Sequence, residues 1–205
     1  KDRFAPGQVV VIESRAFRGT ALRDLIQLAH KNGTKVLAYL SIGELDRIDE
    51  KRFRDFLTKH VKPSDRFRDV DSLTLQRNET FRSRQVDVVA PVWQAFLLAE
   101  VDRLYALGVD GLFLDTVDTV DLYIGRKAWS LDRRIESVQA MLSLVRAIKQ
   151  RKPSGYVMQN RGLNLLGKQV FVGDATGKMI PGQDLARGHK DNPDAVLWED
   201  AYTQD

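Results

Sequence analysis

The stretch Val109-Asp110-Gly111-Leu112-Phe113-Leu114-Asp115 constrains this chain most: an apolar run that ends in an acid and is followed by Thr116, Val117 and Asp118. A parallel strand covered on both faces reads as a near-continuous apolar run, and ligands of such sheets sit beyond the carboxyl ends of the strands. Asp115 therefore stands where chemistry is expected. The pattern recurs. Val9 to Ile12 ends in Glu13, Val36 to Leu40 leads through Ser41 and Gly43 to Glu44, and Val196 to Trp198 ends in Glu199 and Asp200. Any one of these acids reads equally well as a helix N-cap or a solvated loop residue. Their convergence on one sheet edge is harder to explain that way, because gathered like charges raise one another's pKa and cost stability.

Between the acids the periodicity alternates. Leu22, Leu25, Ile26 and Ala29 share a helical face closed by Asn32-Gly33, so strand, helix and strand follow one another early in the chain. Such a unit implies a parallel pair with a right-handed crossover. A second helix is predicted from Asp49 to Val61, with Pro63 as its stop. Ser64 to Arg84 is polar and weakly periodic and reads as an irregular excursion. A short strand over Val86 to Val89 precedes a helix opened by Pro91 and ended by Gly108. A long helix carries Leu131, Ile135, Val138, Leu142, Val145 and Ile148. Gly155 to Gln159 is the next strand, with Asn160, Arg161 and Gly162 at its carboxyl end, and Val170 to Val172 is a further short one. Gly173 to Asn192 reads as loop, and Val196 to Trp198 as the final strand.

This alternation predicts an α/β fold with parallel strands. Acids follow strands spread along the whole chain rather than gathering at one switch point, which favours a TIM-type (β/α) barrel over a doubly wound sheet. Only about six strands are legible against the eight of that barrel, so an incomplete or truncated barrel is expected. At 205 residues the chain should form a single domain, residues 1–205. It starts at Lys1 without a leader-like segment and leaves six residues after Glu199, so it is expected to belong to a longer polypeptide.

Composition removes several kinds of chemistry. No cysteine is present, which excludes disulfides, thiolate metal sites and a cysteine nucleophile. His30, His60 and His189 show no metal-ligand spacing. No window is long and apolar enough to span a bilayer. The net charge of +4 and pI of about 9.3 would suit a nucleic-acid partner, but the basic residues lie along helical stretches and read as a solvated surface, so none is expected.

A carboxylate pair flanking a sugar linkage is the machinery of glycoside hydrolysis. Asp115 and Glu199 are the candidates: Trp198 beside Glu199 suggests desolvation suited to a general acid, and the polar neighbours of Asp115 suit a nucleophile or base. The alternatives are a non-catalytic carbohydrate-binding or structural module on the same scaffold, and a Mg²⁺-dependent hydrolase using Asp115 and Asp118.

Val36 to Glu44 with Arg47, Gly108 to Asp115, Gln159 to Leu163, Val9 to Glu13 and Trp198-Glu199 together resemble glycoside hydrolase family 114, the endo-α-1,4-polygalactosaminidases and their spherulin-like relatives. The resemblance implies a β/α-barrel enzyme, secreted or at the cell surface, that cleaves inside α-1,4-linked galactosamine polymers of exopolysaccharide without metal or organic cofactor. It matches Asp115 to the family's catalytic Asp and Glu199 to its late catalytic Glu. Free amines on such a polymer would be attracted by Glu13, Glu44, Asp46, Asp118 and Asp200. Tyr39, Tyr123, Trp198 and Tyr202 offer flat faces to sugar rings, although Tyr39 reads equally as core and Trp198 as packing between helix and sheet. Asn160 and Arg161 read either as orienting substrate or acid, or as neutralising the carboxylates.

Overall fold

The computed structural model describes residues 4–173 and 177–199. A strand of β-branched residues, β1 (Val9–Ile12), leads through helix α1 (Ala21–Lys31) into β2 (Lys35–Ser41). Leu22, Ile26 and Ala29 bury the inner stripe of α1, and Gly33 at φ +70° ends it in the left-handed conformation that glycine adopts without steric cost. Then come β3 (Glu44–Asp46), α2 (Glu50–His60), a single turn α3 (Val70–Leu73), β4 (Thr74–Asn78) and β5 (Ser83–Val86). Helix α4 (Pro91–Ala106) starts on its proline and feeds β6 (Gly111–Asp115). The remainder is α5 (Thr119–Gly125), α6 (Leu131–Arg151), β7 (Tyr156–Asn160), β8 (Gln169–Val172), β9 (Lys178–Pro181) and β10 (Ala195–Leu197).

Five of these strands form one all-parallel sheet in the order β1-β2-β6-β7-β10. Their order across the sheet is their order along the chain, so no topological switch point exists within it. This is the singly wound wall of a β/α barrel, open among the described residues because β1 and β10 are both edges. The expectation of an incomplete TIM-type barrel holds.

One face of the wall packs on the helices. Val36, Ala38, Leu40, Leu112, Leu114 and Val157 join the residues of α1, α4 and α6 in the core. Gly111 opens β6 because a Cβ there would collide with the carbonyl of Tyr156 on the neighbouring strand. The alternate residues face the other way, where the Tyr39 and Phe113 rings stack with centroids 6.3 Å apart and Val9, Val11 and Leu197 remain exposed.

Two segments depart from the sequence reading. Ser64 to Arg84 is no irregular excursion: β4 and β5 form a hairpin that pairs antiparallel with β3 in a three-stranded sheet. Of the expected strand over Val86 to Val89 only Val86 is extended, as the last residue of β5, and the residues after it turn towards α4. Likewise β8 pairs with β9 and not with the barrel wall, and β9 lies inside the predicted loop Gly173 to Asn192. The final strand also runs one residue earlier than expected, which leaves Trp198 beyond its end. Among the described residues no helix is long and apolar enough to cross a membrane.

Candidate active site

Because all five wall strands are parallel, their carboxyl ends open on one side. Register then decides which side chains meet there: Ser41 lies opposite Asp115, and Asn160 opposite Leu197. Asp115 ends β6 with both oxygens engaged. Its Oδ2 accepts a hydrogen bond from the Tyr39 hydroxyl at 2.7 Å, and its Oδ1 accepts one from the Asn160 amide at 2.9 Å. The same Asn160 nitrogen donates to Glu199 Oε2 at 3.0 Å. One amide thus joins two carboxylates that lie far apart in sequence. Sharing a donor, their nearest oxygens are separated by no more than those two bond lengths laid end to end.

Burial pushes the Tyr39 phenol well above its ordinary pKa, and its hydrogen bond to Asp115 adds to that. The phenol therefore keeps its proton and remains a donor at any working pH. Asn160 is buried, and its Oδ1 has no partner among the described residues.

Glu199 departs from expectation in one respect. Trp198 is 63% exposed and the Glu199 side chain 56% exposed, so the indole does not bury the carboxyl. Its electrostatic neighbour is Arg161, whose Nε lies 3.9 Å from Oε2 while its Nη1 lies 3.5 Å from Asp118. Burial raises the pKa of Asp118, with Arg161 pulling against it and Asp115 adding to it. Asp115 and Asp118 are not left as a pair of bare oxygen ligands: each oxygen of the first accepts one hydrogen bond, from Tyr39 and from Asn160, and the second faces Arg161.

A second charged group lies behind Tyr39. Arg15 bonds Glu13, Asp46 at 2.7 Å and Asp49 at 2.6 Å, and its guanidinium lies over the Tyr39 ring, 5.6 Å from the centroid. Burial pulls the Glu13 carboxyl up, but its hydrogen bonds from Arg15 outweigh this and leave it below the ordinary range. For Asp46 the balance is reversed, burial prevailing over Arg15. Arg15 escaped the sequence reading because two of its three partners, Asp46 and Asp49, lie 31 and 34 residues away along the chain.

Two expected ligands are placed elsewhere. Tyr123 is fully buried and its hydroxyl donates to the Val86 carbonyl at 2.9 Å, so it presents no face to a sugar. Glu44 is buried and held by Ser83 and by Asn78 at 3.1 Å, tying β3 to the hairpin. Asp200 and Tyr202 lie outside the described residues. Among those described, no group of three or more His, Cys, Asp or Glu is arranged to hold a metal ion.

The fold and the sequence both have counterparts. The glycoside hydrolase domain of PelA from Pseudomonas aeruginosa superposes with a TM-score of 0.57 at 23% identity, covering 92% of this chain and 76% of that one. TtGalA, an α-galactosidase from Thermus thermophilus, gives 0.50 at 12% identity over 74% of this chain and 31% of its own. Ega3 from Aspergillus fumigatus, in complex with galactosamine, gives 0.43 at 17% identity over 75% and 65%. At these identities the likeness is one of fold. No curated protein matches the sequence. Residues 3–175 match the model of glycoside-hydrolase family GH114, a span that holds Asp115, Asn160 and Arg161 and stops short of Glu199. That match takes in most of the chain, which therefore belongs to glycoside hydrolase family GH114.

Proposed function

We propose that residues 1–205 act as one catalytic unit that cleaves internal α-1,4 linkages of galactosamine-containing polysaccharide outside the cell, with Asp115 as nucleophile and Glu199 as general acid. The observation that carries this reading is the Asn160 amide donating to both carboxylates. In the first step Asp115 attacks the anomeric carbon as Glu199 protonates the departing glycosidic oxygen. In the second, Glu199 takes a proton from water, which displaces Asp115 from the sugar. Carboxyl groups are roughly 5–5.5 Å apart in retaining enzymes and about 6.5–9.5 Å apart in inverting ones, so a pair sharing one hydrogen-bond donor suits retention. Tyr39 holds Asp115 in place through its far oxygen.

The choice of a galactosamine polymer rests on family membership and on charge. Asp118 and Glu199 face Arg161, Glu13 and Asp46 face Arg15, Asp49 is shared between Arg15 and Arg52, and Asp115 is held by the neutral Tyr39 and Asn160, so among the described residues the acids at the mouth outnumber the cations, which favours ammonium groups. The test is release of reducing ends from acetylated and deacetylated galactosamine polymers. Asp115→Asn and Glu199→Gln should each lose about 10²–10⁴-fold in kcat, and the first product formed should keep the α configuration by NMR. Equal rates from all three proteins would remove the assigned roles, and binding without cleavage by the wild type would leave a carbohydrate-binding module instead.

A further inference from the structure

Two of the site strands, β6 and β7, are each followed by a non-glycine residue in the left-handed conformation. Thr116, directly after Asp115, has φ +60°, and Arg161, directly after Asn160, has φ +54°. A left-handed conformation is a genuine outlier for a β-branched residue such as threonine, and it persists only where the surroundings over-determine it. The surroundings of Thr116 do so. Its hydroxyl donates to the Asp115 carbonyl at 2.6 Å and accepts the Gly43 N–H at 2.8 Å, with Ser41 Oγ at 3.0 Å. Its carbonyl accepts from the Thr119 hydroxyl at 2.5 Å, and the Asp115 carbonyl also accepts the Ile42 N–H at 3.0 Å.

Two glycines make this approach possible. A Cβ on Gly43 would collide with the Thr119 hydroxyl and the Thr116 carbonyl, so the loop after β2 reaches Thr116 only as glycine. On the other side, Gly162 at φ +64° lies against Val117, whose Cγ1 would be 2.6 Å from an added Cβ. The loops after β2, β6 and β7 therefore interlock around residues 116 and 117. Asp115 sits inside that interlock, with its backbone fixed before its side chain meets Tyr39 and Asn160.

Resting on the hydrolase reading above, we propose that Thr116 is the positioning residue of the nucleophile: its hydroxyl, gripping Gly43 from a left-handed backbone, sets the direction in which the Asp115 carboxylate leaves the strand. The Thr116 hydroxyl bonds the Asp115 backbone, Gly43 and Ser41 and not the Asp115 carboxylate, so its role is to act through Asp115. Small misplacements of a reacting group cost about 10²-fold in rate.

Three variants test it on the galactosamine polymer. Thr116→Val keeps the shape and removes the hydroxyl; Thr116→Gly also removes it but accepts the left-handed backbone freely, so that it folds even where valine does not. Both should lose about 30- to 100-fold in kcat with KM changed less than about twofold, whereas Thr116→Ser, which keeps the hydroxyl, should stay within about threefold of wild type. Wild-type kcat in Thr116→Gly would overturn the proposal, as would a Thr116→Ser enzyme as slow as the glycine variant. A folded wild type that releases no reducing ends would defeat the hydrolase reading and this inference together; an active wild type with active hydroxyl-less variants would defeat this inference alone.

Discussion

Tyr39 illustrates how far residue type alone reaches. The sequence offers it as core or as a sugar platform, and the structure uses its ring for packing on Phe113 and its hydroxyl to hold Asp115. Hydrogen bonds to charged groups contribute about 1.5–3 kcal/mol. Tyr39→Phe should therefore slow turnover by roughly tenfold to a hundredfold while the fold persists, since the ring contact survives the change. Steady-state kinetics beside a thermal melt checks this; an unchanged kcat would mean that Asp115 needs no help from that side. Asp115 itself was legible as a strand-end acid because an apolar run closing on a carboxylate is a local pattern, and its weight as a site residue came from the recurrence of that pattern along the chain. Asn160 was legible only as a polar residue at a strand end. That its amide serves two carboxylates follows from pairing between β6, β7 and β10, which no local pattern encodes.

At the level of elements, the reach of Glu199 depends on how β10 is fastened to the edge of the wall. Buried Lys149 of α6 bonds Asp194 at 2.7 Å and the Gly155 carbonyl at 2.8 Å, and the same Asp194 oxygen accepts the Val157 N–H at 2.8 Å. Asp194→Ala would leave the ammonium unpaired, at a cost of about 3–5 kcal/mol. It should also loosen β10, so kcat should fall as well as the midpoint of urea unfolding; stability lost with kcat intact would separate β10 from the site. Helices α2 and α4 are tied by Glu100, which bonds Arg103 at 2.9 Å and Arg52. Burial raises its pKa, but the two guanidiniums outweigh this and hold it below its ordinary value of 4.5. A lowered folded pKa gives stability that is complete above the unfolded value and is lost as pH falls through the folded one. Unfolding free energy of the wild type should therefore drop more steeply below about pH 4.5 than that of Glu100→Gln. Parallel slopes would assign the acid sensitivity elsewhere.

For the molecule as a whole, charge is distributed against its total. The chain carries a net +4, yet the mouth of the wall gathers acids around Arg15 and Arg161. Exposed charge interactions fade beyond a Debye length, which shrinks from about 30 Å at 0.01 M to about 8 Å at 0.15 M salt. KM on a deacetylated polymer should accordingly rise several-fold over that range, while KM on a fully acetylated one should barely move. Equal salt dependence for both polymers would show that the mouth does not read ammonium groups.

The order of the five wall strands and of helices α1, α2, α4 and α6, their parallel direction and the position of Asp115 were legible in the sequence, because apolar period and strand-end polarity are local quantities. The hairpin hidden in Ser64 to Arg84 was not, since β4 and β5 are strands only through pairing with β3. Tertiary structure alone decided that Tyr123 is core, that Glu44 fastens a hairpin and that Trp198 is exposed. It also decided that Gly43 and Gly162 are spaces for Thr116 and Val117. Each depends on which distant segment lies within a few ångströms, a matter of register between strands that the spacing along one chain does not carry.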